Sequence, residues 1–204
     1  MRNAAARKDG YWPFISKKQT PPTEYTYGEF PLPFFSELID RGVNLLPSLH
    51  NGQRSGAEFV DLGSGAGRLV LAAASMNPGW KRVRGVEFLP SLHSLAEEKL
   101  SEAKALPEFL TSPVVLEARS WDSPELDLSS VDIAFAYTTA LPAEGGLLVS
   151  FTQALKSKLK KNTVVITTDY QLGDGFSLLS TIDGENPGTG GLSTGYIFLK
   201  EDEN

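Results

Sequence analysis

The run Phe59-Val60-Asp61-Leu62-Gly63-Ser64-Gly65-Ala66-Gly67 joins a short apolar segment to three glycines at alternate positions. An apolar run of this length that ends in glycine reads as a buried parallel strand. Glycines just beyond it let the backbone turn tightly and approach a ligand without side-chain interference. Their spacing is G-x-G-x-G, whereas the loop that seats a pyrophosphate is G-x-G-x-x-G. Asp61, two residues ahead of the first glycine, would repel a pyrophosphate and suits an ammonium group instead. Glu87 closes the next apolar run, twenty residues after Gly67. An acid there can accept two hydrogen bonds from ribose hydroxyls.

S-adenosylmethionine carries both a ribose and an amino-acid ammonium, so it suits this pair of acids better than a nicotinamide dinucleotide does. Other chemistries find little support. Cysteine is absent, which removes disulfides, thiol nucleophiles and thiolate metal sites. His50, in a polar loop, and His93, beside Leu92, read as structural or solvated, and two histidines without cysteine make no zinc site. We expect no metal. Asp169 follows the fifth strand, but the fourth offers no acid to complete a carboxylate cluster. Ser64 and Ser120 lack a positioned histidine for a hydrolytic triad.

The elements that must hold these residues alternate from Glu58 onward. Strands are expected at 59–62, 83–88, 114–116, 131–137 and 163–168. Helices are expected at 68–76, stopped by Asn77-Pro78-Gly79, and from Pro90-Ser91, where Ser91 can cap. A third carries the stripe Leu148, Phe151, Leu155 and Leu159. The basic run Lys156 to Lys161 reads as its solvated end. Residues 176–182 and 193–200 read as two further strands joined by a loop at 183–192. Five β–α units and a terminal hairpin predict an α/β fold: a doubly wound, Rossmann-like, seven-stranded and mostly parallel sheet with a C-terminal antiparallel hairpin. Ligands bind at the carboxyl ends of such strands.

Three regions are expected. Residues 1–23 are a basic and aromatic lead-in; a cut transit peptide, a floppy tail or an ordered arm over the site are all open, and Tyr11-Trp12-Pro13-Phe14 is apolar enough to favour an arm. Residues 24–57 form a helical cap with apolar Phe34, Phe35, Leu38 and Ile39, followed by a loop at 47–56. Residues 58–204 form the ligand-binding domain. The net charge of −6 divides into +2 over residues 1–57 and −8 over 58–204. An acidic body is a poor footprint for unaided nucleic-acid binding and suits a basic protein tail or a small cationic substrate. No apolar stretch is long enough to cross a bilayer and no targeting signal stands out, so the expected place is the cytoplasm, with the nucleus open.

Val60 to Gly67 together with Gly85-Val86-Glu87 resembles the class I S-adenosylmethionine-dependent methyltransferases. Tyr27-Gly28-Glu29-Phe30, followed by a helix, is similar more narrowly to the DOT1-type protein lysine methyltransferases. The resemblance implies S-adenosylmethionine as cofactor and S-adenosylhomocysteine as product. It implies that Tyr27, Gly28 and Glu29 line the methionine portion, with Asp61, Gly63, Ser64, Gly65 and Gly67 beneath it and Glu87 at the ribose. The family's Asp-aromatic pair at the adenine is inverted here as Trp121-Asp122: Asp122 would accept from the adenine amino group and Trp121 would pack on the ring, or else serve as a core aromatic. The family's Asn-Asn-Phe-x-Phe motif after the fourth strand is replaced by Tyr137-Thr138-Thr139-Ala140-Leu141, which makes Tyr137 and Thr138 the candidates for lining the acceptor. The leading expectation is methyl transfer to a protein lysine. A small-molecule O- or N-methyltransferase and a silent cofactor-binding partner subunit are the alternatives.

Overall fold

Short runs of buried residues make one sheet in the computed structural model, which describes residues 2–47, 54–76, 79–188 and 190–202. Its strands are β1 (Glu58–Leu62), β2 (Arg82–Glu87), β3 (Val114–Ala118), β4 (Ile133–Ala136), β5 (Val164–Thr168), β6 (Phe176–Asn186) and β7 (Gly191–Lys200). They lie in the order β3-β2-β1-β4-β5-β7-β6. The pairs from β3 through β5 are parallel, and β7 runs antiparallel between β5 and β6. The seven-stranded sheet with a terminal hairpin is thus as expected.

Helices are α1 (Arg2–Gly10), α2 (Trp12–Ile15), α3 (Leu32–Leu45), α4 (Arg68–Ala74), α5 (Pro90–Lys104) and α6 (Val149–Lys158). Side chains alternate across a strand, so β1 serves two cores. Phe59 packs with Phe35 and Leu38 of α3 and Val70 of α4, and Val60 packs on the other face with Phe151 and Leu155 of α6. Strand order reverses at β1, between β2 and β4. The crevice at the carboxyl ends of β1 and β4 is therefore where a ligand belongs.

Four expectations need correction. Helices follow only β1, β2 and β4, not every strand, and β3 runs to β4 through turns. The sheet face left there is held by charge: buried Glu58 takes Arg82 and Arg84, and Arg84 also pairs with Glu117 at 2.6 Å. Second, the loop expected at 183–192 is mostly strand, with β6 reaching Asn186 and β7 starting at Gly191. Gly184 lets the strand continue, because a Cβ there would lie 2.4 Å from the Phe34 ring of α3. Third, Ser91 is not a cap. Leu89 occupies that position with Pro90 following, and the carboxylate of Asp9 in α1 accepts from the Ser91 N–H at 2.5 Å, suiting the positive end of the helix. The basic end of α6 is likewise not wholly solvated: Lys158 donates to the Ser123 carbonyl and Lys160 pairs with Asp132.

The lead-in is ordered as two helices, with Ala6 buried beside Leu89 and Leu92. Phe14, Tyr25 and Phe88 stack edge-on at about 5 Å. No described helix is long and apolar enough to cross a membrane.

Candidate cofactor and acceptor site

The glycine turn is tied to the end of β2. Gly63 and Ser64 N–H both donate to the Val86 carbonyl, at 2.9 and 3.0 Å, and Gly67 N–H closes the turn on the Ser64 carbonyl. Gly63, Gly65 and Gly67 all have positive φ, at 84°, 54° and 77°. Each has a different surrounding. A Cβ at Gly63 would meet nothing within 4 Å, at Gly65 it would lie 2.6 Å from the Tyr27 ring, and at Gly67 it would lie 3.0 Å from Ala96. Gly63 thus opens onto the crevice, Gly65 admits Tyr27, and Gly67 lets α5 approach. Gly85, which opens the Gly85-Val86-Glu87 motif, completes the turn: a Cβ there would lie 2.9 Å from Ser64 Oγ. A glycine inside a strand was the available signal.

Asp61 is buried, and its carboxyl accepts no hydrogen bond from any described residue. Burial, followed by the neighbouring Glu87 charge, pushes it up to about 8. Glu87 is also shifted up by burial, opposed by backbone N–H groups. It stands at the expected strand end but turns into the glycine loop, accepting from Gly65 N–H and Leu89 N–H at 2.8 Å each. Two of its four lone-pair positions remain for other donors. A buried acid lacking a donor, set below an open glycine, is the chemistry an ammonium would complete.

The Tyr27-Gly28-Glu29 segment crosses above. The Tyr27 ring covers Gly65, and its hydroxyl donates to Glu29 Oε1 at 3.2 Å. Burial, then the Glu29 charge, raises the Tyr27 phenol. Arg2 of α1 pairs with the same Glu29 oxygen at 2.6 Å, and Arg68 of α4 stands 3.9 Å from the other while donating to the Phe30 carbonyl at 2.8 Å. These two arginines were not read from the sequence, because their partner lies far from each along the chain.

At the end of β4 the expected pair divides. Tyr137 is half-buried beneath Gly28, with its ring 5.1 Å from Phe30. Thr138 is a correction: it is fully buried, its hydroxyl donates to the Thr168 carbonyl, and its N–H donates to Thr168 Oγ1 at 3.2 Å. It braces the ends of β4 and β5 and offers nothing to the crevice. Trp121 and Asp122 follow β3. Trp121 lies edge-on to Phe151 of α6 at 5.1 Å and Asp122 is exposed, without a hydrogen bond or ring contact to the glycine loop among the described residues. The core-aromatic alternative for Trp121 is the one this packing fits. His93 on α5 faces Glu97 at 3.5 Å, and His50 lies outside the described residues. Among the described residues no group of three metal-binding side chains occurs.

Residues 16–112 match the family model "Histone methylation protein DOT1". A curated relative, the histone-lysine N-methyltransferase, H3 lysine-79 specific, of Gibberella zeae, is 37% identical over 83 residues, which is 41% of this chain and 15% of that protein. The chain thus spans a small part of that relative's length. Among solved structures, the rRNA methyltransferase aviRa from Streptomyces viridochromogenes has a TM-score of 0.61 at 13% identity, over 85% of this chain and 86% of its own. A SAM-dependent methyltransferase from Methanosarcina mazei has a TM-score of 0.56 at 15% identity, over 77% of this chain and 98% of its own. The fold is that of the class I S-adenosylmethionine-dependent methyltransferases, and the chain resembles the DOT1 type. The DOT1 match covers the last third of the lead-in, the Tyr27 segment, the glycine loop and Glu87, and stops before β3.

Proposed function

We propose that the chain transfers a methyl group from S-adenosylmethionine to a nitrogen, the side-chain amine of a protein lysine. The Asp61 carboxyl carries the reading: buried, unpartnered, below Gly63 and beside a loop that Tyr27 covers. Asp61 and Glu29 are placed to meet the methionine ammonium, the Gly63 and Gly65 backbone to let the chain lie close, and Glu87 to take ribose hydroxyls with its free lone pairs. When bound, the cofactor would supply a methyl on a cationic sulfur; the acceptor nitrogen, its ammonium proton first lost to solvent, would form the new bond in line as the C–S electron pair goes to sulfur. What the protein must add is alignment and exclusion of water. Tyr27 supplies cover, and Tyr137 faces the side from which the acceptor would come.

The DOT1 resemblance and the −8 charge of residues 58–204 favour a basic protein tail as acceptor, which would place the protein in the nucleus if the tail is a histone's. A small-molecule acceptor is the second reading, favoured by Tyr137-Thr138-Thr139-Ala140-Leu141 standing where the family carries two asparagines and two phenylalanines. Calorimetric titration with S-adenosylmethionine, S-adenosylhomocysteine and NAD tests the cofactor: the first two should bind at micromolar levels and the third should not. Labelled methyl donor, offered to a core-histone mixture and to a set of small amines and alcohols, then separates the acceptors. Silence toward both adenosyl compounds would end the proposal.

A further inference from the structure

The hydroxyl of Tyr137 is held from the far side of the sheet. Asn186, the fully buried last residue of β6, donates from Nδ2 to the Tyr137 hydroxyl at 3.1 Å and to Ser193 Oγ at 2.8 Å. Its amide orientation follows from a third bond, because Gly188 N–H donates to Asn186 Oδ1 at 3.2 Å and a backbone N–H cannot face an NH2 group. Behind it, Ser193 Oγ donates to Asp169 Oδ2 at 3.2 Å, and Thr194 N–H donates to Asp169 Oδ1 at 3.1 Å. Asp169 sits at a φ of 66°, a left-handed conformation that an aspartate tolerates when local hydrogen bonds fix it.

These bonds leave the phenol oxygen with one lone pair and its own proton. The ring edge lies against Gly28, where a Cβ would approach Tyr137 Cε1 to 3.1 Å. The hydroxyl therefore sits where the Tyr27 segment, the end of β4 and the hairpin turn meet. An amide does not pass protons along such a chain, so the network positions the phenol and does not relay charge.

Resting on the methyltransferase reading above, we infer that Tyr137 is the group that orients the acceptor amine: once the ammonium has given a proton to solvent, the free lone pair of the phenol accepts one amine N–H and the nitrogen's own lone pair is left for the methyl. Asn186 is its positioning residue.

The test uses the full chain with 13C-labelled tyrosine rings, saturated with S-adenosylhomocysteine and titrated with n-butylamine, which has the chemistry of a lysine side chain. The Tyr137 Cζ resonance should move and saturate, with the Tyr27 resonance as second reporter. Tyr137→Phe, which keeps the ring packing, and Asn186→Ala should each weaken butylamine about fivefold, the worth of one hydrogen bond, and the double variant should lose no more than Tyr137→Phe alone. A Tyr137 resonance unmoved by saturating amine, or losses that add in the double variant, overturns the inference. Should Asn186→Ala fail to fold, the resonance shift and Tyr137→Phe decide alone. Failure to bind S-adenosylhomocysteine at all would instead strike the methyltransferase reading.

Discussion

The two sides of the crevice are built on different principles. On the side proposed for the cofactor, Asp61, Gly63, Gly65 and Gly67 fall within seven residues, and Glu87 comes in the next strand. One strand, one turn and one helix place most of what matters. On the side proposed for the acceptor, Tyr137 meets Gly28, 109 positions earlier in the sequence, and Asn186, 49 positions later. The family match covers the first side and stops at residue 112. Local construction resists change because each residue is bound to its neighbours by backbone geometry.

Asp61→Asn gives the sharpest break. It removes the charge proposed to meet the cofactor ammonium, and S-adenosylhomocysteine affinity should fall by about 1–3 kcal/mol, roughly five- to 150-fold. The unliganded chain should respond in the opposite sense. Because the native carboxyl titrates near 8 and the unfolded one in the ordinary carboxylate range, the native state binds the extra proton between those values. Wild-type stability therefore falls as pH rises through that window. The variant escapes this penalty, so its thermal midpoint should match wild type near pH 5 and exceed it at pH 9. A variant less stable at pH 9 would show that Asp61 is a structural partner and not a waiting ligand.

The same titration acts on binding. If the ammonium requires ionised Asp61, wild-type affinity for S-adenosylhomocysteine should climb with pH by up to about tenfold per unit and level off near 8, with one proton released below that point. Calorimetry in buffers of different ionisation enthalpy measures the proton directly. A flat profile would assign the ammonium to Glu29 alone.

Gly184→Ala probes the other side. The new Cβ would fall within the Phe34 ring's contact distance, at 2.4 Å, and overpacking of that kind costs about 1–3 kcal/mol. The midpoint should drop by about 2–4 °C per kcal/mol in a chain of this size, while cofactor affinity stays put. Loss of both together would mean that the hairpin and the glycine loop are one cooperative site and not two.

What was legible in the sequence follows the same division. Strand, turn and helix around Asp61 could be read because glycine spacing and apolar runs are local signals, and β1, α4 and β2 fall close to where they were expected. The direct passage from β3 to β4 was in the element reading, but the Glu58-Arg84-Glu117 network beside it was not legible, since it joins three strands. Nor was the reach of β6, whose Gly184 and Asp183 look like loop residues until Phe34 of α3 is seen to need the space. Thr138 illustrates the limit most plainly. A hydroxyl at a strand's carboxyl end reads as available, and only the neighbouring strand shows that Thr168 has taken it. Asn186 carried no signal, because its partners are set by the register of β6 against β7.

Arg2→Ala should have the smallest effect. Arg2 and Glu29 are both well exposed, at 43% and 38%, and an ion pair so placed contributes about 0–1 kcal/mol. Glu29 keeps the Tyr27 hydroxyl and the nearby Arg68 when Arg2 is gone, so its carboxylate stays above the glycine turn. The expected change is a midpoint shift of at most a few degrees and a loss in cofactor affinity below about fivefold. Both should vanish in 1 M salt, where screening acts within about 3 Å. A larger loss that survives salt would make α1 part of the cofactor side proper. The arm's packing on α5 and the Asp9 carboxylate at the Ser91 N–H would then be what closes the site, and the local construction argued for that side would have to begin at Arg2.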